Sequence, residues 1–542
     1  MKKAGKITLW VLGSLLVVII GLFLCADIIA SKVVREEVAK ACIEMPGVKA
    51  NVGGVYLNLI SGSAIVRDIT FSTNSLTLED SVTGNRAPGL AVHIPMVSVW
   101  NISYAALLRE QRVRVFHISV DDPQILVYLD EENPEAIMPF MPKDTVLEKA
   151  GMWLQSVEVH SFDLNRLSAR LRSTRTPLFV SVDSLSVSTP KMVYDLVDSL
   201  FTYNDSVYDV RVNAMHVETP DGLWGIEAHD LHLQDQGPLN LGYTHIKNLF
   251  THKQMADMQR QPITWLDIEL NSVHTSPFNP IRKALAQDFH LDSLNADVKY
   301  MHVFTDQCYP PKTPYGTPHD FLRHVPVEFG VKQVKAHVHK MFVELATTPT
   351  NIGQLHLKNM RAHMTNVTNR AGATWTSHAT GPFGENGKMD ATFIMHMDKN
   401  ATFEVKMDVK DVNTDVLNPF VRPLVGITSQ CHINHLDAHY QGNRNIAKGE
   451  FCMQYHGLEV LVHKTDKIPY EIVTKYADTF TNLANTLVPK SNPTAVDPAP
   501  RKYAVEWKRD EWKPYPLYVF GPCIDGIKMT MLPGLYVHKQ IK

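Results

Sequence analysis

The chain has 542 residues, of which 44% are hydrophobic and 20% are charged. That composition is typical of a folded protein and excludes a chain that is disordered throughout. The 53 Lys and Arg residues are balanced by 56 Asp and Glu residues, giving a formal net charge of −3. This balance argues against a nucleic-acid binder that relies on a basic surface. Six cysteines are too few for a fold built on disulfides.

An uncharged apolar stretch near the N-terminus indicates a membrane anchor. It covers residues 7–26, and as a helix it would be about 30 Å long, the thickness of a bilayer's hydrocarbon core. Three lysines among residues 1–6 precede it. The positive-inside rule therefore predicts a cytoplasmic N-terminus over residues 1–6 and a transmembrane anchor over residues 7–29.

Two other interpretations of this stretch stay open. A cleaved signal peptide has a shorter apolar core that ends in small residues, whereas here Ile28 stands two residues before the candidate cleavage site at Ala30. A lipoprotein would use Cys25, but Leu24 precedes it where a small residue is expected. The length of the apolar stretch favours the anchor, so we expect about 510 residues to lie beyond the membrane.

The rest of the chain reads mainly as strands. Residues 31–45 predict a short amphipathic helix, and from about residue 50 the apolar period changes from 3.6 to 2. Segments such as VYLNLI, RVRVFHISV and QILVYLD are rich in Val and Ile and are bounded by turn residues. No strand–helix–strand alternation recurs, which argues against a parallel α/β enzyme. The strands predict a sheet with one wet face and one dry face, in a sandwich stack, a propeller or one long curved sheet.

The clearest hairpin and the C-terminal segment complete the predicted elements. MDATFIMHM and ATFEVKMDV are joined by the polar turn 398–400. Residues 465–490 predict a helix, and residues 491–542 predict a Pro-rich strap followed by an aromatic, basic tail. Aromatic side chains beside cations suit a membrane interface, and the alternative is an apolar cap on the last strand. The membrane-interface candidates are Trp507, Trp512, Tyr515 and Tyr518.

No pattern in the sequence indicates catalysis. There is no G-x-S-x-G elbow and no P-loop. Asp121 and Asp122 precede a proline, which favours a turn over an acid–base pair. The sequence therefore predicts a protein that is not an enzyme and that uses no cofactor.

The histidines and cysteines do not predict a metal site either. In HINHLDAHY, His435 and His439 would lie roughly 13 Å apart on a strand, too far for one ion. His337 and His339 share a strand face and are predicted to lie on the wet side. Cys431 and Cys452 could form a disulfide if their strands are neighbours, although free thiols are the default.

Three stretches bring a family resemblance. VYLNLISGSAIVRDITFST follows the predicted short helix, RVRVFHISVDDPQILVYLDEE follows further on, and the hairpin near residue 400 leads into DVLNPF and a Gly-Ile pair. Together they resemble the AsmA-like proteins of Gram-negative envelopes, which are related to TamB-like and bridge-like lipid transfer proteins. The Trp-rich basic end is similar to Bacteroidetes-type members. One departure is Ser429-Gln430-Cys431, which stands where the family usually has a glycine.

The resemblance implies an inner-membrane-anchored protein with most of its chain in the periplasm. Residues 50–464 would form a long, curved, mostly antiparallel sheet with an open apolar groove that binds or transfers phospholipid or another envelope lipid, contributing to outer-membrane biogenesis. The expected partners are lipid, the membrane and other envelope proteins, with no nucleic acid. The groove candidates are Val55, Leu57, Leu59, Val113, Val115, Phe393, Phe403 and Val405.

Two rival functions remain at this point. A scaffold for outer-membrane protein assembly would recruit partners through exposed strand edges. An envelope hydrolase would need a pocket in which carboxylates or histidines converge.

Overall fold

The chain divides into two compact units, Met1–Leu241 (unit 1) and Gly242–Lys542 (unit 2). Both are built mainly of β-strands, which confirms the mainly β part of the predicted fold class. The computed structural model describes residues 31–32, 48–73, 76–79, 88–130, 132, 156–195, 200–203, 208–279, 289–325, 327–463, 479 and 481–541.

The predicted N-terminal elements fall largely outside that range. Residues 1–6 and the anchor over 7–29 are not among the described residues, and of the predicted helix over 31–45 only residues 31 and 32 are described, both helical. Among the described residues, no helix combines the length and apolarity needed to cross a bilayer.

The sheet of unit 1 is mostly antiparallel. Its elements are β1 Val48–Asn58, β2 Ser63–Thr73, β3 Gly89–Ile102, α1 Tyr104–Glu110, β4 Arg112–Asp121, β5 Gln124–Leu129, β6 Ser156–Ser173, β7 Phe179–Asp195, β8 Leu200–Tyr203, β9 Asp209–Glu218, β10 Trp224–Gln234 and β11 Leu239–Leu241. β4 and β5 both pair antiparallel with β3 and parallel with β6. β7 then pairs with β6, β8 and β9, and β10 lies between β9 and β11.

In several strands of unit 1, the alternation of apolar and polar residues shifts by one position partway along the strand, and the apolar side chains stay on one face. Along β1, Val52 and Val55 are three positions apart, yet both are buried. The apolar phase therefore slips by one residue, as it does at a β-bulge. Residues with positive φ mark the slip within β2, β6, β7 and β10 and between β4 and β5, namely Asp68, Arg166, Ser184, Asp230 and Asp122.

The strands of unit 2 are also mostly antiparallel, and this unit has more helices. Its elements are β12 Thr244–Asn248, α2 His252–Gln259, β13 Ile263–Thr275, β14 Phe289–Asp306, α3 Pro318–Arg323, β15 Phe329–Ala346, β16 Ile352–Thr368, β17 Thr374–Phe383, β18 Gly387–His396, β19 Phe403–Asn413, α4 Asn418–Val425, β20 Ile427–Gly442, β21 Ile446–Val462, β22 Ser491–Asn492, β23 Lys502–Lys508, α5 Tyr515–Met531 and β24 Gln540–Ile541, with short 3₁₀ turns at Thr414–Val416, Pro533–Leu535 and Val537–Lys539. Consecutive strands from β12 to β21 are neighbours, and only the described β14–β15 pair is parallel.

The predicted hairpin of unit 2 is confirmed, and the segment after it begins a helix. β18 and β19 form the predicted hairpin, and in its turn the carboxylate of Asp398 accepts the backbone N–H of Thr402 at 3.1 Å. The LNPF segment begins α4, where Asn418 donates to the carbonyl of Ser429 at 2.9 Å and accepts its N–H at 3.0 Å. The Asn418 side-chain amide therefore holds α4 against the backbone of β20.

The C-terminal region differs from the predicted strap and tail. Residues 481–487 are helical, in agreement with that part of the helix predicted over 465–490, while residues 465–478 and 480 lie outside the described residues. The segment predicted as a Pro-rich strap and an aromatic, basic tail, residues 491–542, includes β22, β23 and the 17-residue helix α5. α5 packs on β21 and β23, where the described residues form the largest apolar core of unit 2.

A partly buried ion pair joins α3 to the turn between β20 and β21. Arg444 donates two hydrogen bonds to the Asp320 carboxylate, at 2.8 and 2.5 Å. Asp320 also accepts the N–H of Thr317 at the start of α3. The Arg444 guanidinium is the main cause that holds the pKa of Asp320 well below its ordinary value.

From this ion pair we expect the free energy of unfolding to decrease at acidic pH. A carboxyl whose pKa is lowered on folding stabilises the protein above its unfolded pKa of about 3.9, and that stabilisation is lost as pH falls through the lower folded value. We expect Asp320→Asn to destabilise the protein by about 1–2 kcal/mol at pH 7, allowing for partial exposure, and by progressively less below pH 4. Urea unfolding across pH measures this. Asp292→Asn, at an exposed pair with Lys332, is the control and should change little.

Candidate functional site

One face of the unit 1 sheet carries an uninterrupted row of aliphatic side chains. Each member is the direct cross-strand partner of the next. With strands about 4.8 Å apart, the row is roughly 34 Å long. The row consists of Val55, Val66, Val97, Val120, Leu164, Val187, Val210 and Leu233.

A second row runs beside the first on the same face. It crosses β5 instead of β4, and it is paired in the same way from strand to strand. Its members are Phe71, Val92, Ile125, Ala169, Val182, Met215 and Ala228. We call the two rows together the apolar face of unit 1.

Most of the apolar face is as accessible as the polar face behind it. In β4, Val120 and its polar neighbour Ser119 are both half-buried, and in β7 the same holds for Val187 and Ser186. Under a covering layer, alternate residues would differ sharply in exposure. β20 gives that contrast, because its last seven residues alternate strictly between buried and exposed. Among the described residues of unit 1, the apolar face therefore lacks the cover that β20 has.

Helices do not provide this cover in the described part of unit 1. The helical residues there are 31, 32 and the seven-residue α1, which contacts β4 at one end of the sheet. A contiguous apolar face of this extent indicates an interaction surface, because each Å² left in water costs about 25 cal/mol.

The opposite face of unit 1 carries a small buried apolar cluster of Leu76, Ala91, Leu126 and Tyr128, and beyond it the face is polar and internally paired. Ser188 donates to its direct cross-strand partner Asp163 at 2.6 Å, and Arg211 donates two hydrogen bonds to the Asp209 carboxylate, at 2.9 and 3.2 Å. Arg166 makes a bidentate pair with Asp122 at 2.6 and 2.7 Å. The Asp122 carboxylate is therefore held in a structural ion pair with Arg166. The Asp121 side chain has a different partner, because it accepts a hydrogen bond from Asn165.

Unit 2 has a shorter apolar face of the same kind on β13 to β16. Its centre is buried at Val298, Val338 and Met360, and the flanking side chains are only partly buried. Cross-strand rows again connect the four strands. Two of these rows are Leu266, Val303, Val343 and Leu355, and Ile268, Met301, Met341 and Leu357.

The predicted groove residues divide between open and covered surfaces. Val55 is 7% exposed and lies in the first row of unit 1. Leu57 and Val113 are half-buried in β1 and β4, Val115 is buried in β4, and Leu59 is half-buried one residue beyond β1.

The other three candidates lie in unit 2 near α5. Phe403 and Val405 are 2% and 4% exposed within the core that α5 covers, and Phe393 is half-buried against Phe403. We therefore exclude Phe403 and Val405 from any lipid-contacting set, because the chain's own helix already covers them.

The predicted membrane-interface aromatics divide in the same way. Trp512 is 54% exposed, and Trp507 is half-buried with the Lys528 ammonium 5.7 Å from its ring. Tyr515 and Tyr518 are 9% and 2% exposed and belong to the α5 core. A membrane-interface role is therefore corrected to a core role for the two tyrosines.

The histidines of HINHLDAHY are separated, as their strand spacing predicts. His435 pairs with Asp408 at 2.9 Å, and His439 pairs with Glu404 at 3.0 Å. Cys431 and Cys452 are free thiols, and burial raises the pKa of each. A different histidine pair, His337 and His339, converges on Asp297, which the strand pattern alone did not reveal.

Comparison with known proteins adds no assignment. No protein-family model matches the chain, and no curated protein matches it significantly in sequence. A functional conclusion therefore depends on the chemistry of the surfaces described above.

Proposed function

We propose that the protein is an inner-membrane-anchored periplasmic protein of AsmA-like architecture that binds or transfers lipid, with no catalytic activity of its own. The apolar face of unit 1 carries this proposal, and the shorter face on β13–β16 is a second contact surface. The apolar stretch over residues 7–29 would anchor the chain.

Acyl chains fit this face better than a protein partner does. The first row is made entirely of Val and Leu, whereas protein interfaces rely on Trp, Tyr and Arg anchors with hydrogen bonds around them. An acyl chain spans half a bilayer core, roughly 15 Å, so a row of roughly 34 Å would hold about two chain lengths. The charged groups behind the sheet leave the polar side in water, where lipid head groups can also stay.

The test has to separate this surface from the anchor, since any membrane anchor copurifies lipid. A photoreactive benzoylphenylalanine at Leu164 places the probe on the apolar face, and the same residue at Asp163 places it on the opposite face of β6. The full chain, irradiated in native membranes, is then analysed by mass spectrometry for lipid adducts.

We expect lipid adducts at position 164 in excess over position 163, and phospholipid among the adducts. Equal labelling at both positions, or protein adducts at 164 in place of lipid, would refute lipid binding here and favour the scaffold alternative.

A further inference from the structure

Three side chains of unit 2 converge on the polar side of the sheet. Asp297 lies on β14, and His337 and His339 lie on the neighbouring β15. The Nε2 atom of His339 is 2.7 Å from Oδ1 of Asp297, and Nδ1 of His337 is 3.8 Å from the same oxygen. Within the described part of the chain, this is the one group of three His, Cys, Asp or Glu side chains whose ligand atoms all lie within 4.8 Å of one another.

The parallel pairing of β14 and β15 builds this cluster. Asp297 is the direct partner of His337, and Val298 is the partner of Val338. Val298 and Val338 are buried together on the apolar face, so the two histidines that flank Val338 project to the other side. Their ring centroids are 4.2 Å apart. Successive same-face positions therefore bring both imidazoles to one carboxylate.

A β-bulge in β13, the other neighbour of β14, orients the Asp297 carboxylate. The register of β13 shifts on both sides of Leu270, and the Nδ2 group of Asn271 donates to Oδ2 of Asp297 at 3.0 Å. This hydrogen bond is the main cause that holds the pKa of Asp297 below its ordinary value. The bond occupies Oδ2, so Oδ1 stays directed at the two histidines, and bulges commonly aim a side chain in this way.

We propose that Asp297, His337 and His339 bind a divalent transition-metal ion, through two imidazole nitrogens and one carboxylate oxygen. Tetrahedral zinc with bonds of about 2.0–2.2 Å places its ligand atoms about 3.3 Å apart, and the observed 2.7 and 3.8 Å lie on either side of that value. Two imidazoles select zinc, copper, nickel or iron over magnesium or calcium. Asn271 is the positioning residue that fixes the carboxylate.

The shared carboxylate distinguishes this cluster from the other histidine–carboxylate pairs of the sheet. His245 pairs with Asp267 at 2.6 Å and His378 with Asp390 at 2.8 Å, in each case as a single contact between two groups. Asp297 and His337 also line a cleft of about 420 Å³. An ion from solution can therefore reach the cluster through this cleft.

Metal titration of the full-length protein tests the site. The protein is first stripped with chelator and then titrated with Zn²⁺ by calorimetry and with Co²⁺ by visible absorption, whose bands report coordination by nitrogen and oxygen. We expect one Zn²⁺ per chain and a raised Tm on binding. His339→Ala should weaken binding by more than 100-fold, and Asn271→Ala by about 10- to 100-fold.

His245→Ala is the matched control, because it removes an imidazole from a two-group pair with Asp267, on the same side of the sheet and outside the cleft that leads to the cluster. It should leave the stoichiometry and affinity unchanged. Thermal unfolding without metal verifies that each variant is folded, and Asn271→Ala provides a second test should His339→Ala fail to fold. Zn²⁺ binding of equal affinity in wild type, His339→Ala and Asn271→Ala, or no stoichiometric binding by wild type, would overturn the proposal.

Discussion

Replacing Gly526 with alanine is expected to destabilise the protein by about 1–3 kcal/mol, the range for overpacking a well-packed core. Helix propensity alone predicts the opposite sign, because alanine stabilises a helix interior by about 1 kcal/mol relative to glycine. The packing of α5 decides the sign here. A Cβ atom at Gly526 would stand 2.2 Å from Cγ of Phe451, and Phe451 is 1% exposed in the core below.

A double-mutant cycle tests this explanation. Phe451→Ala alone should cost about 3–5 kcal/mol, since it leaves a cavity beneath α5. In the double variant, the cavity accommodates the new methyl group, so the total cost should be clearly less than the sum of the single costs. Urea unfolding of the full chain, monitored by circular dichroism and tryptophan fluorescence, gives all three values.

Gly534→Ala is the control for the cycle. A Cβ at Gly534 would meet no atom within 4 Å, so this change should be nearly neutral. A stabilising Gly526→Ala, or strictly additive costs in the double variant, would show that close approach of α5 is not why a glycine stands at that position.

α5 also shows why part of the fold could not be predicted. Pro514, Pro516 and Pro522 suggest an extended segment, because a proline inside a helix costs about 3 kcal/mol. In the structure, α5 nevertheless forms with Pro522 inside it. Burial of Tyr518 and Met529 against the sheet offsets the local cost, and such long-range packing is not encoded in any short window of sequence.

The strands were predictable, but the continuity of their faces was not. The alternation of VYLNLI and RVRVFHISV suffices to predict strands with one apolar face. The slips at Asp68, Arg166 and Asp230 displace the pattern by one residue, and a period of two cannot indicate whether neighbouring strands slip together. Only the cross-strand register shows that they do. For the same reason, the sequence predicts that His337 and His339 share a face but does not predict that Asp297 on β14 lies beside them.

Placing a carboxylate on the apolar face of unit 1 is expected to abolish lipid contact there while leaving the fold intact. Val182 lies in the second row, between Ala169 and Met215, and is half-buried. In Val182→Asp the new carboxylate remains hydrated while the face is open, so the sheet should tolerate it. An acyl chain would have to desolvate that charge, at a cost of several kcal/mol. Since each 1.4 kcal/mol is tenfold in affinity, we expect lipid binding to fall by more than 100-fold.

Ser181→Asp supplies the matched control one residue away. Successive residues of a strand point to opposite faces, and Ser181 lies between Arg170 and His216 on the polar side, where an added carboxylate meets a positive neighbour. Photo-crosslinking to a diazirine-labelled phospholipid, with benzoylphenylalanine adducts at position 164 as the second readout, should be unchanged in Ser181→Asp and lost in Val182→Asp. If both variants label equally and both retain the wild-type Tm, acyl chains do not bind this face, and a polar partner at the strand edges becomes the better explanation of the open sheet.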